Sequence, residues 1–252
     1  MKKILLMLFT TFLINTSLFA NDYTVIRFGA DPNYAPFAYK DNTGTLVGFE
    51  IDIGNAICAH LNVRCQWVES DFDGMIPSLN AGKIDAILAS MTITAARQKV
   101  IDFSSEVFSS PTAMVLRPGA ELSRGMAVGY LQGSTQEVYA RQVLASQGLK
   151  VVAYADQEQV YADLLTGRLQ ASLQDAQQAQ SGFLRSPQGA GFMLGPMIES
   201  PLMPSKSGIG IAKGNHALKN LLDKGLAALH ADGTYARLQA QYFAGVNMFS
   251  GQ

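Results

Sequence analysis

Residues 84–111, IDAILASMTITAARQKVIDFSSEVFSSP, carry the reading that decides the fold. Residues 84–89 form an apolar run interrupted by one acid, the length of a buried strand. Ser90 and Thr92 follow its end, and Thr94 is placed to cap a short helix over 94–101 that contains Arg97. After Phe103 the pattern lapses. Ser104, Ser105, Ser109, Ser110 and Pro111 make a polar segment with no helical period. A buried strand, a polar strand end and a helix make up one unit of an open α/β sheet, and here a break closes it.

The same unit recurs on either side. Upstream, strand-like residues 24–29 lead into a proline-punctuated loop over 31–37, and residues 46–49 form a short strand. Ile53, Ile57 and Leu61 fall four apart, which predicts a helix over 50–61. A strand over 64–69 and a helix over 72–80 complete this part. Downstream, strands are expected over 126–131, 150–154 and 169–173, the last ending at Asp175, with helices between and after them. Ser134 and Glu137 are spaced as a capping box for a helix over 134–146, and Gly167 stops another over 157–165. A second irregular stretch, 195–207, holds Pro196, Pro201 and Pro204. A strand at 209–212 and two helices finish the chain.

Strands alternating with helices predict parallel sheets covered on both faces. The two breaks divide the chain into three. The simplest arrangement is two α/β lobes joined by two crossings: residues 23–109 with 205–252 in one, residues 110–204 in the other. Ligands of open α/β sheets bind beyond the carboxyl ends of strands, so the cleft between the lobes is the expected site.

Hydrophobic residues make up 48% of the 252-residue chain and charged residues 15%, enough material for a core. The formal net charge of -1 gives no electrostatic case for nucleic acid. Lys2 and Lys3, an apolar run over 4–13 and a small residue at Ala20 read as a secretory signal over 1–20, cut after Ala20. The run is short and too polar at Thr10, Thr11 and Asn15 for a membrane anchor, the alternative. No cysteine lies near the cut to take a lipid. An exported chain meets an oxidising compartment, so Cys58 and Cys65 are expected to bridge; two buried free thiols are the alternative. The chain ends without a signalling domain, which leaves docking in trans as the route to a sensor role.

Phosphate-loop, dinucleotide and nucleophile-elbow motifs are absent, so no cofactor is expected and an enzyme is disfavoured. Residues 208–214 are glycine-rich but enter a strand and read as structural. His60, His216 and His230 are scattered on helical patterns and read as surface or helix-end residues, not metal ligands. The polar residues gather at strand ends instead. Arg97 can grip a carboxylate with two parallel hydrogen bonds; a surface salt bridge is its alternative. Residues 132–135 meet a helix N-terminus, which also suits an anion. Asp175 can receive an ammonium group, or can simply cap a helix. A carboxylate clamp with an ammonium acceptor describes an α-amino acid.

These residues lie in ordered motifs: Asp31-x-x-Tyr-Ala-Pro-Phe37, Val47-Gly-Phe-Glu-Ile-Asp52, Asp71-Phe-Asp-x-x-Ile-Pro-Ser-Leu79, Lys83-Ile-Asp-Ala86, Ser90-x-Thr-Ile-Thr94 with Arg97, Leu131-Gln-Gly-Ser-Thr-Gln136, Leu173-Gln-Asp175 and Asp232-Gly-Thr-Tyr235. Over nearly all of the mature chain they resemble the periplasmic solute-binding proteins for polar amino acids, above all those for lysine, arginine and ornithine and for histidine. The resemblance implies a periplasmic-binding-protein-like fold of type II and hinged closure over a free amino acid. It also implies a monomer that delivers its ligand to an inner-membrane ABC permease. Arg97 then takes the α-carboxylate with the backbone of Thr92 and Thr135, within the set that includes Leu131 and Ser134. Asp175, the Ser90 carbonyl and the Thr92 hydroxyl take the α-ammonium. Tyr34 and Phe72 sandwich the side chain, unless they only pack the core. Asp31, with Glu50, meets a distal positive group. Ala89 stands where a serine is usual and removes one polar contact, which leaves glutamine or an opine as alternative ligands. Residues 117–125 are shorter than usual and are expected away from the cleft. A periplasmic dehydratase on the same fold is the alternative from another class.

Overall fold

In Val25–Ala30 (β1), Ile26, Phe28 and Ala30 are fully buried, the mark of a strand inside a sheet. The structure, a computed structural model, describes residues 23–249. The signal reading of residues 1–20 lies outside the described residues. After β1 come three short strands, Asn33–Tyr34 (β2), Ala38–Lys40 (β3) and Leu46–Val47 (β4), which form a small antiparallel sheet. Then follow Phe49–Leu61 (α1), Arg64–Glu69 (β5), a 3-10 turn at Phe72–Gly74 leading into Met75–Asn80 (α2), Ala86–Ile87 (β6), Ala95–Gln98 (α3) and Ile101–Ser109 (β7). The middle of the chain holds Thr112–Leu116 (β8), Ala127–Leu131 (β9), Thr135–Tyr139 (α4), Lys150–Tyr154 (β10), Gln157–Thr166 (α5), Ala171–Asp175 (β11), Ala176–Gln178 (α6) and Met193–Ile198 (β12). Lys206–Ala212 (β13), His216–Ala231 (α7) and Thr234–Tyr242 (α8) close it.

Two five-stranded sheets organise these elements, in the orders β5-β1-β6-β13-β7 and β10-β9-β11-β8-β12. Each is the centre of one α/β lobe. In the first, Ile53 and Ile57 of α1 pack against Leu218, Leu222, Leu226 and Leu229 of α7, and Phe37, Phe49, Phe108 and Phe243 stack beside them. Each such side chain contributes roughly 1.5–3 kcal/mol on leaving water. Cys58 of α1 is bonded to Cys65 of β5 at 2.08 Å. Closing so short a loop removes unfolded-state entropy worth about 2.5 kcal/mol.

Both sheets are mixed, not wholly parallel. β13 runs antiparallel to β6 and β7, and β8 runs antiparallel to β11 and β12. The cause is the crossing between lobes, which returns each of these strands in the reverse direction. The two stretches expected to be irregular hold most of β7, part of β12 and the start of β13. In β7, Ile101, Phe103, Val107 and Phe108 are buried, the Ser104 and Ser109 hydroxyls are bonded and Ser105 is exposed. The Ser104 hydroxyl donates to the Ser105 carbonyl at 2.7 Å and accepts from the Ile209 amide at 2.9 Å. Pro196 sits within an irregularity of β12, an edge strand, where a missing N–H costs little. The expected loop at 31–37 contains β2. The helix expected over 94–101 ends at Gln98, because Ile101 already belongs to β7. The helix expected over 134–146 becomes a π-helix after Tyr139, through Ala140–Leu144.

The crossings are tied together where they pass. The Ser110 amide donates to the Ser205 carbonyl at 3.0 Å, and the Ser109 and Ser205 hydroxyls lie 2.8 Å apart. His60 pairs with Asp232 at 2.8 Å, and His230 stacks on Tyr235. No group of metal-ligating side chains occurs among the described residues.

Candidate functional site

A cavity opens between the two lobes, where the carboxyl ends of β1, β6, β9 and β11 converge. All twelve residues singled out from the sequence as ligand-contacting line it. From the first lobe come Asp31, Tyr34, Glu50, Phe72, Ala89, Ser90, Thr92 and Arg97. From the second come Leu131, Ser134, Thr135 and Asp175. None of residues 117–125 reaches it.

Arg97 enters from α3, whose N-cap Thr94 accepts the Arg97 amide at 3.2 Å. Its guanidinium donates to the carbonyls of Thr92 at 2.8 Å and Gly133 at 3.0 Å, not to a carboxylate. The Gly133 bond spans the cleft. The charge also lies 5.5 Å from the centre of the Phe72 ring, a cation–π distance. Burial pushes Arg97 down to about 10, so it stays charged at neutral pH.

Three carboxylates, two buried and one half-buried, share the cavity with that guanidinium. Asp31 directly follows β1, and among the described residues its donor is the Asn33 amide at 3.0 Å. Glu50 lies in the first turn of α1 and accepts the Ser90 amide at 2.7 Å and the Ser90 hydroxyl at 3.2 Å. Ser90 adopts a φ of 52°, a left-handed conformation that non-glycine residues hold only when their surroundings impose it. Here the short Ser90–Glu50 bond accompanies it. Asp175, at the end of β11, accepts the Gln178 amide at 2.7 Å and the Ser110 hydroxyl at 2.8 Å. It therefore caps α6 and faces the cavity at once. Burial raises Asp31 and Asp175 to about 6 and Glu50 to about 7. The charges of Asp175 and Asp31 raise Glu50 further. Tyr34 is pushed well above its ordinary range by burial and then by these acids.

The capping box at α4 forms in altered shape. The Ser134 hydroxyl accepts the Glu137 amide at 3.2 Å, but the Glu137 carboxylate takes the Gly133 amide at 2.7 Å, not that of Ser134. Sequence reasoning missed Gln136, Gln157, Leu173 and Gln174, which also line the cavity. The available signal was position: Gln157 opens α5 and Gln174 is the last residue but one of β11, both at the strand-end level where ligands bind.

The model of the bacterial extracellular solute-binding proteins, family 3, matches residues 26–245. The lysine/arginine/ornithine-binding periplasmic protein of Escherichia coli K12 is 41% identical over 255 residues, covering 96% of this chain and 97% of that protein. The histidine-binding periplasmic protein of the same organism is 39% identical over 253 residues, covering 96% and 97%. An ancestral arginine-binding protein solved with arginine superposes with a TM-score of 0.81 at 33% identity, covering 87% of this chain and 98% of that one. The matched span takes in both lobes and every residue that lines the cavity, and the chain belongs to the bacterial extracellular solute-binding proteins of family 3.

Proposed function

We propose that this protein is the periplasmic substrate-binding component of an ABC-type importer and captures a free L-amino acid with a cationic side chain. One observation carries the reading: the buried Asp31 and Glu50 and the half-buried Asp175 line one cavity against a single cation among the described residues, Arg97. Fully ionised, that set has two negative charges in excess. Leaving them uncompensated in a closed cavity is costly. Arg97 takes the ligand carboxylate, Asp175 with Ser90 and Thr92 takes the α-ammonium, and Asp31 with Glu50 takes the distal cation. Tyr34 and Phe72 flank the aliphatic stem, and Leu131, Ser134 and Thr135 complete the second lobe's wall. A neutral side chain such as that of glutamine can donate a hydrogen bond at the Asp31 end but brings no charge to it.

The lobe limits 23–109 with 205–252 and 110–204 belong to this reading. The tie between Ser110 and Ser205 supports a hinge at that level. Closure buries the ligand, and an inner-membrane permease that prefers the closed form receives a monomer with its cargo. The reading is of binding without turnover. Incubation with prephenate-like acids is expected to leave them unchanged, and product formation would mark a dehydratase instead. In a thermal-shift panel of the common amino acids and opines, arginine, lysine, ornithine or histidine gives the largest rise. A ligand at 100 times its dissociation constant stabilises by about 2.7 kcal/mol. A panel in which only neutral or acidic amino acids act overturns the cationic assignment.

The raised carboxylates also predict a pH dependence. A cationic ligand needs them ionised, and ligand-free they hold protons up to about pH 6–7. Affinity for L-arginine is expected to fall between pH 7.5 and pH 5 by about tenfold for each group at about 6 and by more for Glu50, read by calorimetry. Stability of the ligand-free fold moves the other way. Folded-state values lie above unfolded ones, so this contribution is complete below about pH 4 and is lost as pH rises through 6–7.

A further inference from the structure

Beneath the second lobe's wall lies a buried polar chain that reaches into the first lobe. Ser172, Gln157, Gln174, Gln178 and Tyr161 are all buried. The Gln178 amide nitrogen donates to the Ala35 carbonyl at 3.0 Å, across 143 residues of sequence. A carbonyl only accepts, so this contact fixes which way the Gln178 amide points. Its oxygen is then left to accept from the Tyr161 hydroxyl at 2.6 Å and from the Gln174 nitrogen at 3.0 Å. That in turn points the Gln174 oxygen at Ser172, 2.6 Å away, and at the Gln157 nitrogen, 2.8 Å away. Every amide in the chain takes its orientation from Ala35. Gln157 and Gln174 line the cavity, and Ala35 adjoins Tyr34, which lines it from the other side.

Gly182 lies one turn beyond Gln178, and a Cβ there would meet the Ala35 carbonyl oxygen at 2.2 Å. The two lobes touch at this seam only because residue 182 has no side chain. On the opposite flank the Gln132 amide donates to the Asp73 carboxylate at 2.6 Å.

We propose that Gln178 is a positioning residue for the closed state, a latch that joins Ala35 of the first lobe to the Gln174–Tyr161–Gln157 floor of the second, with Gly182 providing the close approach. The latch rests on the reading that closure traps the ligand, but it acts on closure itself. Opening separates Gln178 from Ala35 and frees the amide orientation of the whole chain. Closing restores the bond and resets Gln174 and Gln157 at the cavity wall.

The test measures closure with and without ligand. In an Asp73→Cys/Gln132→Cys background, the rate at which an added oxidant joins the two thiols reports the closed fraction. Gln178→Glu keeps the acceptor for Tyr161 and Gln174 but sets an oxygen against the Ala35 carbonyl. It is expected to slow cross-linking about tenfold without ligand. Gly182→Ala crowds the Ala35 carbonyl across the seam and the Gln178 amide within its own lobe, and is expected to slow cross-linking more strongly. Urea unfolding of the ligand-free variants, carrying only their own substitution, is expected to match the parent. Cross-linking within twofold of the parent in both variants overturns the latch. If L-arginine fails to speed cross-linking in the parent while Gln178→Glu still slows it, the ligand assignment falls and the latch stands. Slow cross-linking together with weakened unfolding in both variants overturns the latch in favour of a purely structural role.

Discussion

Replacing Arg97 by alanine is expected to weaken L-arginine binding by roughly 2–5 kcal/mol, about thirtyfold to several thousandfold. Much of that loss is the cost of leaving the ligand carboxylate buried and unpaired. Among the described residues the substitution also removes the only cation lining a cavity with three carboxylates. Arg97→Lys keeps the charge but loses the planar fork, so it is expected to recover only part of the affinity. Calorimetry decides the matter, and Arg97→Ala binding within twofold of the parent removes Arg97 from the clamp.

The second large effect is expected at Asp175, where two roles must be separated. The side chain caps α6 through the Gln178 amide and also faces the cavity. Asparagine caps a helix about as well as aspartate, whereas alanine loses about 1 kcal/mol of stability. Asp175→Asn therefore removes the charge and keeps the cap. It is expected to weaken binding by roughly 2–5 kcal/mol with little change in unfolding. Asp175→Ala is expected to add a loss of stability to the same loss of binding. Unchanged affinity in Asp175→Asn would leave the residue with capping alone.

Local pattern made much of this legible. The buried run at 84–89, the Thr94 cap and the position of Arg97 depend on residues close in sequence, and they lie where that pattern puts them. In hydrogen-bonded form the run shortens to β6, since only Ala86 and Ile87 find ladder partners on both sides. The strands β7, β12 and the start of β13 were illegible for a different reason. Their serines and prolines read as loop, and only long-range partners such as Ile209 for Ser104 make those polar groups compatible with a sheet. The parallel expectation failed at the same places, because strand direction is set by the crossing and not by composition. In the cavity, the charged and aromatic residues announced themselves by chemistry and position. Gln157 and Gln174 did not, because a glutamine near a helix start or a strand end reads as solvated. Their burial follows from Tyr161 and Gln178 packing over them, a contact invisible in the local sequence.

The central claim is that this cavity selects an α-amino acid by its carboxylate and by a distal positive charge. Calorimetric titration with L-arginine, L-citrulline and agmatine tests it most directly. Citrulline keeps the shape and loses the distal charge; agmatine keeps that charge and loses the carboxylate. Arginine is expected to bind tightly, citrulline at least about a hundredfold more weakly, and agmatine more weakly still, each loss being that of one buried charge partner. Citrulline or agmatine binding within a few-fold of arginine would contradict the account.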